Sequence, residues 1–279
     1  MKWQGRRGSG NVEDRRGMGG RGLAVGGIGG IGGIILLVVL LLTGTDPSAI
    51  LNQGGGAGAG ADQAGQDEGA QFVSVVLADT EDVWRQQFET MGRTYQEPKL
   101  VLFTGYVQSA CGTASSAVGP FYCSEDRKVY IDLDFFSELS RRYGASGDFA
   151  RAYVIAHEIG HHVQNQLGIL GAVHDRQQRV TQKQANELSV LLELQADFLA
   201  GVWAHYAQKT LNVLEEGDLE EALNAATAIG DDNLQQKGQG YVVPDSFTHG
   251  TSAQRRRWFK LGYTTGQVSR GDTFDTDQL

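Results

Sequence analysis

Apolar positions divide the chain into stretches of different character. Leu23 to Leu42 is a run of twenty residues without a charge that ends in an unbroken block from Ile34 to Leu42. At helical rise this reaches about the 30 Å of a bilayer core, so residues 23–42 are predicted to form one transmembrane helix. Residues 43–70 hold too few apolar groups to pack and read as a glycine-rich flexible linker. From Phe72 a helical spacing takes over, with Phe72, Val75, Val76, Val83, Trp84 and Phe88 on its core side and Pro98 ending it. Leu100–Phe103, Phe121–Tyr122 and Val129–Leu133 read as strands, the last two as a hairpin.

Helical periodicity then dominates. It predicts helices over 147–167 (Asp148 as N-cap, Gly168 as stop), 182–209, 219–236 and 253–261. A loop over 168–181 carries His174, and the tail 264–279 reads as frayed. The pattern is that of a mainly helical α+β domain with a small sheet, spanning residues 71–263 and preceded by the transmembrane helix.

The helix over 147–167 carries the chemistry. It contains His157-Glu158-Ile159-Gly160-His161, the His-Glu-x-x-His signature of zinc metalloproteases. Residues four apart share a helix face, so His157 and His161 can offer two imidazoles to one metal ion. Glu158 sits about 100° round the helix, placed to reach a metal-bound water. Tyr153, Val154, Ile155, Ile159 and Val163 surround these groups. An apolar setting is costly for polar groups that have no partner, which argues against a chance surface pair.

A catalytic zinc needs a third protein ligand and one open position. Glu193 and Asp197 lie four apart on the helix over 182–209, among Leu188, Leu191, Leu192, Leu194, Phe198 and Leu199. One carboxylate can bind the metal while the other accepts the N–H of a ligand histidine and fixes its tautomer.

With these residues the chain resembles the gluzincin metallopeptidases, in which two His and a downstream Glu hold zinc. The wording His-Glu-Ile-Gly-His-His-Val-Gln, with Glu-Leu-Gln-Ala-Asp-Phe-Leu-Ala-Gly-Val-Trp, is closer still to the bacterial neutral zinc metallopeptidase family. That resemblance covers most of the chain. It implies a membrane-anchored, zincin-like domain that holds Zn2+ on His157, His161 and Glu193 and hydrolyses peptide or protein, without supplying a particular substrate; the helix spacing leaves Asp197 to orient a ligand histidine.

Charge adds a topology. Residues 1–22 carry +4 and the rest of the chain −13. No folded basic module follows the basic tail, so nucleic acid is not an expected partner. Arg6, Arg7, Arg15, Arg16 and Arg21 ahead of the apolar run keep the N-terminus cytoplasmic by the positive-inside rule. The expected localisation is therefore the inner membrane, single-pass, with the catalytic domain extracytoplasmic. A cleaved signal peptide is the competing reading, but the run exceeds the usual apolar length and no clear Ala-x-Ala site directly follows it. In an oxidising compartment the two cysteines, Cys111 and Cys123, pair in a disulfide; two buried thiols are the alternative.

Of the other histidines, His162 is about 140° off the ligand face, His205 about 120° off the face of Glu193, and His174 sits in a loop. His249 precedes the last helix, and its spacing to Arg255 resembles the His-Pro-x-x-x-x-Arg segment of membrane-integrated heat-shock gluzincins, with Gly250 where those have Pro. His249 is thus a candidate to stabilise the oxyanion, to occupy the open zinc position, or merely to cap the helix; Tyr241 is next in line.

The expected reaction is peptide-bond hydrolysis by zinc-activated water, with Glu158 as general base. A catalytically weak metal-binding scaffold or chaperone-like module, and a zinc amidase acting on cell-wall material, are the alternatives.

Overall fold

The computed structural model describes residues 1–17 and 62–276. Strands are β1 (Val12–Asp14), β2 (Lys99–Phe103), β3 (Tyr106–Ser109), β4 (Gly112–Ser115), β5 (Phe121–Cys123) and β6 (Lys128–Asp132). Helices are α1 (Asp62–Thr90), α2 (Asp134–Arg141), α3 (Asp148–Leu167), α4 (Ile169–Gln177), α5 (Gln182–Tyr206), α6 (Asp218–Ala228), α7 (Asp231–Gln239) and α8 (Ser252–Thr265). The result is a mainly helical α+β fold with small sheets, as the periodicity predicts.

The sheet runs β1-β2-β6-β5, with β1–β2 and β2–β6 parallel and β5–β6 the expected antiparallel hairpin. A second hairpin, β3–β4, lies apart from it. Its Cys111 is joined by a disulfide to Cys123 at the end of β5. The main core is shared by α1, the sheet and helices α3, α5, α6 and α8.

Two close helix crossings position the later chemistry. A Cβ on Gly160 of α3 would stand 2.9 Å from the Ala196 carbonyl oxygen of α5. On Gly201 of α5 it would stand 2.1 Å from the Phe259 carbonyl oxygen, and on Gly262 of α8 2.0 Å from that of Phe198. Only glycine lets these backbones touch.

The membrane topology must be corrected. Residues 1–17 are not a separate cytoplasmic tail. Met1 and Trp3 are buried in the main core, and β1 extends the sheet. Arg6 makes two hydrogen bonds to Asp79 of α1, and the Ser9 hydroxyl donates to Glu81. A single crossing between residues 17 and 62 would put two halves of one core on opposite sides of a bilayer. Among the described residues no helix is long and apolar enough to cross a membrane. The predicted span, residues 23–42, lies outside the described residues. The preceding transmembrane helix, the single-pass inner-membrane localisation and the membrane as a partner are therefore not supported.

Smaller corrections follow from packing. Helix α1 begins at Asp62, inside the expected 43–70 linker. The expected loop 168–181 is largely α4, so His174 is helical and half-buried. The helix expected over 219–236 is two, α6 and α7, broken around Ile229-Gly230. Asp148 does not cap α3; it accepts a hydrogen bond from the Trp3 indole, while Glu221 accepts from the Phe149 N–H. The segment after 264 is not frayed, since Thr273 is buried and Phe274 packs on Val173, Leu188 and Leu192.

Trp3 tests the role of the N-terminal segment. Its ring meets Phe72 edge-on, with centroids 5.5 Å apart. Trp3→Ala is expected to cost about 3–5 kcal/mol in urea unfolding, as for other buried Trp truncations. A loss under about 1 kcal/mol would mean that the segment is not part of the core.

Candidate metal centre

The α3–α5 crossing at Gly160 and Ala196 sets His157 and His161 against Glu193. His157 Nε2 lies 3.1 Å from Glu193 Oε2, and His161 Nε2 lies 3.3 Å from Glu193 Oε1. One ligand atom from each of the three falls within 4.8 Å of the others, a cluster able to hold a metal ion. Ligands about 2.0–2.1 Å from a tetrahedral zinc stand about 3.3 Å from one another, so this donor set fits zinc. Two imidazoles and one carboxylate also leave a fourth position free.

Behind the cluster lies a fully buried ion-pair network. His157 donates through Nδ1 to Asp197 Oδ1 at 2.9 Å, which turns the Nε2 lone pair toward the cluster. Tyr153 donates its hydroxyl to the same oxygen at 2.5 Å. Arg255 donates Nε to Asp197 Oδ2 at 2.8 Å and an Nη2 hydrogen to Oδ1 at 3.1 Å. Burial raises the Asp197 pKa, but Arg255 and His157 outweigh it and hold the group ionised. Burial likewise lowers the basicity of His157, yet Asp197 and Glu193 raise its pKa to about 10. A metal ion entering the site must displace that proton.

Glu158 is adjacent in sequence to His157, is not one of the three clustered donors, and is buried at 7% exposure. Burial raises its pKa against the pull of His161 and His157, which makes it a better proton acceptor than a solvated carboxylate.

His249 is held from the other side. Asp231 Oδ2 accepts the backbone N–H groups of Thr248, His249 and Gly250 at 2.8, 2.6 and 3.0 Å. Its Oδ1 lies 3.1 Å from His249 Nδ1. Burial lowers the pKa of His249, but Asp231 raises it further, which favours the imidazolium. The charge of His249 acts on Glu193, yet His249 is not one of the three clustered donors. Nor does it cap α8, where Thr251 and Gln254 form a capping box. Gly250 has φ +89°, a conformation closed to proline, which explains the departure from the His-Pro pattern. Tyr241 is 61% exposed and is not brought to the cluster.

The remaining histidines stand apart. His205 donates from Nδ1 to the Tyr263 carbonyl at 2.8 Å. His162 is buried, its Nε2 2.6 Å from the Gln96 carbonyl and its Nδ1 3.0 Å from the Tyr122 hydroxyl. Burial lowers the His162 pKa to about 4. The unfolded chain therefore binds the extra proton between about pH 6.5 and pH 4, and stability falls as pH drops through that window. His162→Gln should remove up to about 3 kcal/mol of that acid sensitivity. Urea unfolding at pH 7 and pH 4.5 checks it; an unchanged pH slope would refute it.

Sequence reasoning placed Tyr153 only in the lining, without its bond to Asp197, and missed Asp231 and the task of Arg255. A signal for Arg255 existed: it shares an α8 face with Trp258, Phe259 and Gly262, all buried. Nothing local marked Asp231, which acts 18 residues before His249.

Comparison with known proteins agrees with this geometry. Residues 1–274 match the family described as "Putative neutral zinc metallopeptidase". The chain belongs to this family. An Escherichia coli protein, "Uncharacterized protein YpfJ", is 54% identical over 290 residues, covering 98% of this chain and 99% of its own. An uncharacterized protein of Mycobacterium tuberculosis is 47% identical over 195 residues, covering 66% of this chain and 65% of its own. No solved structure gives a significant match. Membership of this family implies Zn2+ as the cofactor, and the His157, His161 and Glu193 cluster suits it.

Proposed function

We propose that the protein is a zinc-dependent endopeptidase that hydrolyses peptide bonds with Glu158 as general base. The observation that carries this reading is the clustering of one ligand atom each from His157, His161 and Glu193 within 4.8 Å, with Glu158 buried next to His157 in the chain. Zinc, when bound, polarises the scissile carbonyl and acidifies the attacking water. Glu158 accepts the proton of that water and delivers it to the leaving amine. Asp197, held by Arg255 and Tyr153, keeps His157 in the tautomer that presents Nε2. His249, kept charged by Asp231, donates to the oxyanion that develops at the carbonyl.

A peptide-library digest by the zinc-loaded protein tests the assignment. Cleavage should disappear with a chelator and return with zinc. His249→Ala should keep zinc and lose about 10²-fold or more in kcat, the effect of removing an oxyanion donor. No cleavage of any peptide by zinc-loaded protein would refute the peptidase reading. Unchanged kcat in His249→Ala would remove His249 from it.

A further inference from the structure

Asp197 sets the tautomer of His157, but among the described residues no carboxylate stands behind His161. Its Nδ1 lies 2.9 Å from Gln164 Oε1. The Gln164 amide in turn donates Nε2 to the Leu192 carbonyl at 2.7 Å and to Gln195 Oε1 at 3.1 Å. Gln195 donates its Nε2 to the Gly271 carbonyl at 2.8 Å. Both glutamines are buried, at 0% and 6% exposure.

We propose that Gln164 and Gln195, anchored on the Gly271 carbonyl, are positioning residues that fix the tautomer of His161 through a one-way chain of hydrogen bonds. The inference rests on His161 being a metal ligand. Its direction follows from two backbone carbonyls, which can only accept. The Gly271 oxygen requires the NH2 end of Gln195, so Gln195 Oε1 faces Gln164. The Leu192 oxygen requires the NH2 end of Gln164, so Gln164 Oε1 faces His161. An oxygen at that place makes Nδ1 the protonated nitrogen, and the neutral ring keeps its lone pair on Nε2, the atom facing Glu193.

A neutral amide has a further merit over a second carboxylate. Glu158, Glu193 and Asp197 already bring three carboxyl groups to one buried region, and Arg255 faces two of them. Gln164 orients His161 without adding a fourth. The chain of bonds also gives the segment around Gly271 a task at the metal. That segment grips α5 on both sides of Glu193: Thr273 donates to the Leu191 carbonyl, and Gly271 packs against the Phe198 ring.

Two measurements on the full-length protein test this. The first is the zinc dissociation constant by chelator competition. Gln164→Met removes the acceptor at nearly constant volume and should weaken zinc about 10–100-fold, as losses behind a metal ligand do. Gln195→Leu should weaken it less, because Leu192 still orients Gln164. A purely structural role would lower the melting temperature of both variants without moving the zinc constant, and that outcome overturns the proposal. The second measurement needs no variant: 15N side-chain NMR of zinc-loaded wild type should show His161 protonated on Nδ1 and bare on Nε2. The opposite tautomer overturns the proposal while leaving zinc binding intact. Wild type that takes up no zinc at all overturns the metal reading, and the relay with it.

Discussion

Glu158→Gln is expected to lower kcat by about 10²–10⁴-fold while zinc content stays at the wild-type level. The substitution keeps the shape of a side chain that is 7% exposed, so repacking is minimal. It removes only the capacity to take a proton. Glu158 is not one of the three clustered donors, so metal affinity should not follow activity. Metal analysis beside steady-state peptide cleavage separates the two quantities. Activity near wild type in Glu158→Gln would exclude the general-base role; parallel loss of zinc and activity would make Glu158 part of the metal's support instead.

The second large effect is expected behind the site. Asp197 is fully buried, and its charge is compensated by Arg255, itself 2% exposed. Arg255→Met strips the counter-charge and leaves the carboxylate stranded, at a cost of about 3–5 kcal/mol. It should also weaken zinc, because an unconstrained Asp197 orients His157 less well. Asp197→Asn combined with Arg255→Met should recover part of the stability, since the stranded charge is then absent. Chemical denaturation of the single and double variants measures this. A single-variant loss under about 1 kcal/mol would show that the pair contributes little to the fold.

How much of this was legible in sequence follows from the range of each interaction. The His157, Glu158 and His161 arrangement is local to one helical face, and periodicity finds it. Glu193 and Asp197 sit on the next long helix, where their own i, i+4 spacing and apolar surroundings single them out. Asp231 and Gln195 act across 18 and 76 residues, through backbone groups that carry no side-chain signature. The N-terminal segment misled for a different reason. Its arginines suggest a cytoplasmic flank, yet Arg6 and Arg7 meet carboxylates of α1, and Arg15 and Arg16 meet those of β1 just before them. Charge composition records the cations and not their partners. The tail beyond 264 lacks helical periodicity, but irregular backbone can still pack, as Thr273 and Phe274 do.

The identity and position of the metal decide whether His157, His161 and Glu193 form a zinc site. Anomalous diffraction collected above and below the zinc absorption edge, on crystals of protein purified without added metal chelators, tests it in one map. A single zinc peak is expected per chain, about 2.0–2.1 Å from Nε2 of His157, Nε2 of His161 and a carboxylate oxygen of Glu193. No peak in zinc-loaded crystals, or a peak held by other residues, would contradict the assignment.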